Sequence, residues 1–511
     1  MSFLLQLDNR SLVAGAVCVF LAYRYVAAYI TQSKLDGIPT VGHDGVLSSY
    51  ITAVLAVTDR FSLIEEGCRK YPGGVFKIPT LTHWQVIVNG PEMISDLWRA
   101  ADDELSFEKA AGDLLQVEYT MAPTTHTNPY HINVVRRPLT RNIGARFEDI
   151  LDETLAAFAD NIPLSDDWVE MPVSEAIYNM VVRISNRYFV DLPLCRDPDW
   201  CDLNIQFTTN VAVNSIIINL FPKAFHPIVG NIFTTRRRSM RRAMRHLAPI
   251  IKRRYEMEEQ HGGDWPDRPN DAITWVIDMV NDMGEDWQKG SIEDICLRLL
   301  SINFAAIHTT SMAFTHALYH LAANPHLIEP LREEVETVVE KEGWSKAAMV
   351  RLRLVDSFLK ESQRHSAGTV SVQREALKDF RLSDGTLIPA GTKVAAANSF
   401  THRHEEIYPD PDGFVASRFS EMRDRKGESI KHQLVTPTLD WLNFGIGKHS
   451  CPGRFFAATE LKAMFAHLLL NYDVKFRDDG GFPPSIRISG TTRPNPKAKV
   501  MFRKRQRDTE V

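Results

Sequence analysis

The chain has 511 residues, 44% of them hydrophobic and 24% charged, with a formal net charge of -5 at pH 7. That is ample apolar material for a large core, and the absence of a global basic field argues against nucleic acid as a partner. The six cysteines (Cys18, Cys68, Cys195, Cys201, Cys296, Cys451) form no C-x-x-C pair, so neither a zinc site nor a disulfide framework is suggested.

Residues 11–30, SLVAGAVCVFLAYRYVAAYI, are interrupted only by Arg24. The run is near the length of about 20 residues that crosses a bilayer as a helix. Arg24 lies close to one end, where it can snorkel, and Tyr23, Tyr25 and Tyr29 suit the aromatic belt there. Asp8 and Arg10 cancel before the run, whereas Arg24 and Lys34 charge its far end, which favours a cytoplasmic C-terminal side. A cleaved signal peptide is the competing reading, given Ala27 and Ala28. The flank before the run is not clearly positive and no disulfide pattern follows, so residues 1–31 are read as an anchor. Residues 32–505 then form the main body and 506–511 a polar tail.

Residues 75–90, VFKIPTLTHWQVIVNG, alternate and close on Asn-Gly, which reads as a hairpin. A helix follows with Pro91 in its first turn. Most of residues 146–354 carries the 3.6-residue period of helices. Strand-like pieces return over residues 380–397, where Asp384-Gly385 and Gly391 supply turns. The fold class is therefore mainly α with a smaller β portion. The apolar residues 215–233 precede a dense basic run, RRRSMRRAMRH, at 236–246. That pair of segments is either a core helix with a solvated face or a second membrane contact.

Further on, residues 296–325 read as a buried helix ending near Asn324-Pro325. In its middle, AAIHTT leaves small residues beside His308, Thr309 and Thr310. Taken alone this is a satisfied core patch, with threonine hydroxyls bonded back to i−4 carbonyls. Glu361 and Arg364 share one helix face at i, i+3. The loop PDPDGFVASRF delivers Arg418, which can join them in a buried network, one carboxylate bridging two guanidinium groups. Last comes NFGIGKHSCPGRFFA, residues 443–457. Gly445 and Gly447 permit unusual angles or the approach of a flat ligand. Cys451 stands where this loop enters a helix, and a helix N-terminus favours thiolate. A metal ligand and a nucleophile both remain open; His449 is the nearest base for the second.

These four features together resemble the cytochrome P450 family of haem-thiolate monooxygenases. The F-x-x-G-x-[R/H]-x-C-x-G loop is matched by Phe444, Gly447, His449, Cys451 and Gly453, and the E-x-x-R pair by Glu361 and Arg364. Phe414, Arg418 and Phe419 match F-x-P-x-R-F, with Ala416 in place of proline. The A-G-x-D/E-T-T motif is matched in part: Ala306 replaces glycine and His308 the acid. The style is similar to fungal secondary-metabolite members.

The resemblance implies a cytochrome P450 fold with an N-terminal transmembrane helix, anchored in the endoplasmic reticulum with its catalytic part cytoplasmic. It implies haem b held by Cys451 as axial ligand, with His449, His131 and Arg136 as propionate partners. The spacing from His131 departs from W/H-x-x-x-R by one residue, which leaves Arg136 and Arg137 both open. Thr309, with Thr310, would hydrogen-bond dioxygen or a water and deliver protons; His308 is either a relay or an inert helix residue. Electrons would come from an NADPH-dependent reductase docking near Lys448, Arg454 and Lys462. The pocket segments are mostly apolar, which suits a bulky hydrophobic substrate, and the family style suggests a terpenoid. The rivals are a haem-thiolate enzyme that does not insert oxygen, such as an isomerase or dehydratase, and a non-catalytic membrane-anchored haem binder.

Overall fold

The computed structural model describes residues 9–263, 265–283, 291–477 and 481–506. It is mainly helical with a smaller strand portion. The chain folds into two compact units. One comprises Met1–Ala111, Gly368–Ile407 and Arg487–Thr491, the other Gly112–Ala367, Tyr408–Ile486 and Thr492–Val511. Each is assembled from segments distant in sequence, so no linker motif marks a border.

In the first unit, α1 (Asn9–Lys34) takes up the N-terminal apolar run and α2 (Ser49–Lys70) follows. Among the described residues no helix is long and apolar enough to cross a membrane. The 26 residues of α1 reach about 39 Å at 1.5 Å each. Residues 1–8 of the expected anchor and 507–511 of the expected tail lie outside the described residues.

Strands β1 (Val75–Pro79) and β2 (Trp84–Val88) form the expected antiparallel hairpin, turning at residues 80–83. The Asn-Gly that closes the pattern opens α3 (Pro91–Arg99): Gly90 takes φ 83° there, a left-handed angle that glycine adopts freely. With β3 (Leu105–Ser106), β4 (Val370–Ala376) and β5 (Lys393–Ala397), the sheet order is β1-β2-β5-β4-β3. Every residue of β1 and β2 is buried, so both faces are covered. Ile64 and Cys68 of α2 pack on Phe76, Ile78 and Ile87.

The second unit is built on helices. Short α4 (Pro123–Thr127) and α5 (Tyr130–Val134) lead into α6 (Ser174–Phe189) and α7 (Pro198–Asn219). Cys195 and Cys201, ahead of and within α7, are free thiols. The basic run begins α9 (Arg236–His261), after α8 (His226–Phe233). The 32-residue α10 (Ile292–Ala323) starts where Ser291 accepts from the Asp294 N–H. It stops at Asn324-Pro325, as its sequence requires, and α6, α7 and α9 pack on it. Next come α11 (Arg353–His365), α12 (Arg418–Asp424) and α13 (Arg454–Asn471). A second antiparallel sheet joins Val169–Pro172, Lys499–Lys504 and Tyr472–Lys475.

Helix α13 carries a buried acid, Glu460, with no cation beside it among the described residues. Ser185 Oγ of α6 donates to Oε1 at 2.8 Å, while Oε2 has no partner among those residues. Burial pushes this carboxyl from 4.5 up to about 8, against the pull of Ser185. The folded state therefore holds a proton that the unfolded state releases, and stability falls as pH rises from 4.5 to about 8. Glu460→Gln should flatten that slope and raise the unfolding temperature most at pH 8, measurable by thermal denaturation across pH.

Candidate active site around Cys451

The loop at residues 443–453 is fixed before α13 begins. Cys451 N donates to Phe444 O at 2.7 Å, and Gly445 and Gly447 take φ of 68° and 64°. A Cβ on Gly445 would lie 3.2 Å from His449 O, so the chain doubles back too closely for a side chain. Asn443 Nδ2 donates to Gln363 O of α11, and Arg454 donates to Val435 O and Cys451 O. Burial pushes the Cys451 thiol up, while the N–H groups of Gly453 and Arg454 and the Arg454 charge pull it back. Burial outweighs them, so the thiol lies above its ordinary value.

The expected charge network forms. Arg364 donates to both Glu361 oxygens at 2.8 Å, and Arg418 Nε lies 3.1 and 3.2 Å from the same two atoms. The remaining donors grip the loop backbone. Arg364 Nη1 reaches Pro411 O, and Arg418 reaches Pro409 O and Asp410 O. Glu361 is fully buried, which pushes its carboxyl up, but the donors led by Arg364 outweigh burial and hold it at about 2.

Sequence reasoning missed a second buried network nearby. Asp356 pairs with Lys462 at 2.5 Å and accepts from Leu434 N at 2.8 Å. Lys462 also donates to Met349 O and is 6% exposed, so the expectation that it serves a docking face is corrected: packing of α13 turns it inward. Lys360 lies 4.7 Å from both the Phe419 and Trp441 rings and donates to Gln433 O. Burial holds its ammonium down at about 7, with Asp356 working against that.

On α10, Ala305 and Thr309 are exposed while Ile307 and Thr310 are buried. A helix otherwise packed on several sides thus keeps one open stripe at i, i+4. Thr309 Oγ1 donates to Ala305 O at 2.8 Å, as expected for a helical threonine. His308 faces elsewhere. Its ring packs edge-on against Tyr178 of α6 at 4.9 Å, and Nε2 lies 3.5 Å from Thr209 Oγ1 of α7. Burial, helped by Arg493, lowers it to about 4, so it is neutral at pH 7.

After α5 the helix widens into a π turn, Val135–Leu139. Pro138 has no N–H to give to Val134 O, and Thr140 Oγ1 donates to Val135 O at 2.9 Å. The turn lies where the spacing after His131 carries its extra residue. Arg136 is exposed and donates to Lys448 O at 3.2 Å, tying this turn to the cysteine loop. Arg137 lies away from that loop, in a cleft with Arg141, Arg268 and Asp278. His131 is partly exposed and faces Arg298, a residue whose signal was a lone cation in an apolar run.

Residues 51–502 match the family model of cytochrome P450. The chain is 42% identical over 495 residues to cytochrome P450 monooxygenase 151 of Postia placenta, covering 96% of this chain and 98% of that one. It is 34% identical to cytochrome P450 monooxygenase CYP512U6 of Ganoderma lucidum, over 98% and 97% of the two chains. Identity to cytochrome P450 monooxygenase paxQ of Penicillium paxilli is 30%, over 99% of each. The chain belongs to the cytochrome P450 family. This makes it an oxidoreductase of the monooxygenase type, and the family implies haem. The donor set of this cytochrome P450 fits that group. Its cysteine loop offers a single sulfur donor, held in place by the bond from Cys451 N to Phe444 O.

The Glu361 network makes a sharp test in this cytochrome P450. Glu361→Gln leaves two buried guanidinium groups short of their anion, a loss of about 3–5 kcal/mol. Chemical denaturation of the variant should show it. In the wild type the carboxylate's contribution is complete above 4.5 and is lost as pH falls toward 2.

Proposed function

We propose that the protein is a haem-thiolate monooxygenase that oxidises a bulky hydrophobic secondary metabolite, a terpenoid, with dioxygen and electrons from an NADPH-dependent reductase. The observation that carries this reading is Cys451: a thiol at a helix start, behind a glycine loop pinned by its own backbone. Haem, when bound, supplies the oxygen and electron chemistry.

The chain's own residues do the rest. Cys451 Sγ would hold the iron as thiolate. His449 and His131 would donate to the haem carboxylates, and Arg136 steadies the cysteine loop through Lys448 O. Thr309 directs its proton at Ala305 O, which leaves its oxygen lone pairs toward the open stripe to hold a water. Thr310, buried behind it, packs. His308 stays neutral and contacts α6 and α7, so any relay through it enters by way of Thr209.

Two surfaces support the partners. Arg136, Lys448 and Arg454 line a cleft of about 340 Å³ beside the cysteine loop, a basic face suited to an acidic reductase. Leu220, Phe221, Phe225, Ile228, Ile232 and Phe233 are exposed, and exposed Arg237, Arg238, Arg241 and Arg245 follow. An apolar patch with an arginine border suits a lipid bilayer, with α1 as the second attachment and the endoplasmic reticulum as the compartment. Arg242 and His246 of the same run are instead bound to Asp199.

The reduced, carbon monoxide-bound wild type should show the red-shifted Soret band of a thiolate complex, and Cys451→Ser should lack it. A wild type that binds haem without that band overturns the assignment. Microsomes containing the reductase, fed terpenoids under labelled dioxygen, should give labelled product; conversion without label would favour a rearrangement or dehydration.

Thr309→Ala should raise peroxide release per product formed. Unchanged coupling would remove Thr309 from proton delivery.

A further inference from the structure

Arg298 is a buried cation that none of the roles above uses. Its side chain is 0% exposed, one turn along α10 from Asp294. Nε donates to Asp294 Oδ2 at 3.2 Å, and Nη2 to Asp294 Oδ1 at 2.9 Å and Thr124 O at 3.1 Å. The guanidinium carbon stands 4.4 Å from the Tyr130 ring centroid, and the Tyr130 hydroxyl donates to Asp294 Oδ2 at 2.7 Å. Thr124 Oγ1 donates to Asp294 Oδ1 at 3.2 Å. Helices α4, α5 and α10 thus meet on one ion pair whose cation has little freedom left.

The remaining donor, Nη1, lies 3.4 Å from His131 Nδ1. Arginine offers only N–H groups and does not deprotonate in a protein. The imidazole nitrogen opposite it must therefore accept, which puts the ring proton on Nε2. The same cation opposes a second proton. Burial is the larger cause and the Arg298 charge the next, and together they hold His131 at about 4 despite Asp294. A neutral ring avoids placing a second desolvated cation against the first.

We propose that Arg298 is a positioning residue that fixes His131 as the neutral Nε2–H tautomer, the form that offers a hydrogen-bond donor to a haem propionate. This rests on the reading of His131 as a propionate partner.

A double-mutant cycle on the full-length holoenzyme separates the two ideas, with haem transfer to excess apomyoglobin as readout. His131→Phe and Arg298→Met should each speed transfer about fivefold, the worth of one hydrogen bond, and the double variant should be no faster than His131→Phe alone. Additive effects would overturn the role of Arg298 while leaving that of His131 intact. No effect of His131→Phe would overturn the reading of His131 itself. A measurement on the wild type covers the case in which Arg298→Met does not fold. In the ¹⁵N-histidine-labelled carbon monoxide complex, the signals of His131, identified by their absence in His131→Phe, should show an unprotonated Nδ1 and a protonated Nε2. The opposite pattern, or a doubly protonated ring, would overturn the proposal.

Discussion

One carboxylate organises the region behind the cysteine loop. Glu361 has no access to water, so on its own it would take a proton. Arg364, with His365 and the Val415 N–H, reverses that, Arg418 lies against the same two oxygens, and both arginines still have donors to place. Those donors reach the backbone of residues 409–413. The helix that carries Glu361 also holds Asn443 through Gln363 O. A misplaced Glu361 would therefore release both the 409–413 loop and the start of the segment that presents Cys451.

The interior handles its buried charges in three different ways. Glu361 stays ionised because arginine forks surround it. Glu460 lacks any such partner and keeps a proton instead. Lys360 lies between, with aromatic faces and a carbonyl in place of a close anion, and its ammonium is held down to about 7. Burial alone does not decide the charge of these groups. The number and geometry of donors and acceptors within reach do.

What was legible in the sequence follows from how local each signal is. The hairpin at residues 75–90, the Pro-started α3 and the end of α10 at Asn324-Pro325 depend on neighbours in the chain. The Cys451 loop was legible because glycine spacing and a proline after the cysteine constrain the backbone directly. Glu361, Arg364 and Arg418 were legible only together, since their meeting depends on a loop returning after more than fifty residues. The inward turn of Lys462 and the contact from Arg298 to His131 were not legible, because packing between distant helices decides them. The π turn had a local signal after all: Pro138, set just beyond the one-residue excess after His131.

The grip of Arg364 and Arg418 on carbonyl oxygens has a consequence for sequence drift. Every residue type brings a carbonyl, so these bonds do not read the side chains of the segment. Asp410 is the exception through its backbone, since its φ of 51° is a left-handed angle that glycine, asparagine and aspartate take most readily. A segment held by its main chain can change its composition over generations while the position of the helix behind it stays the same.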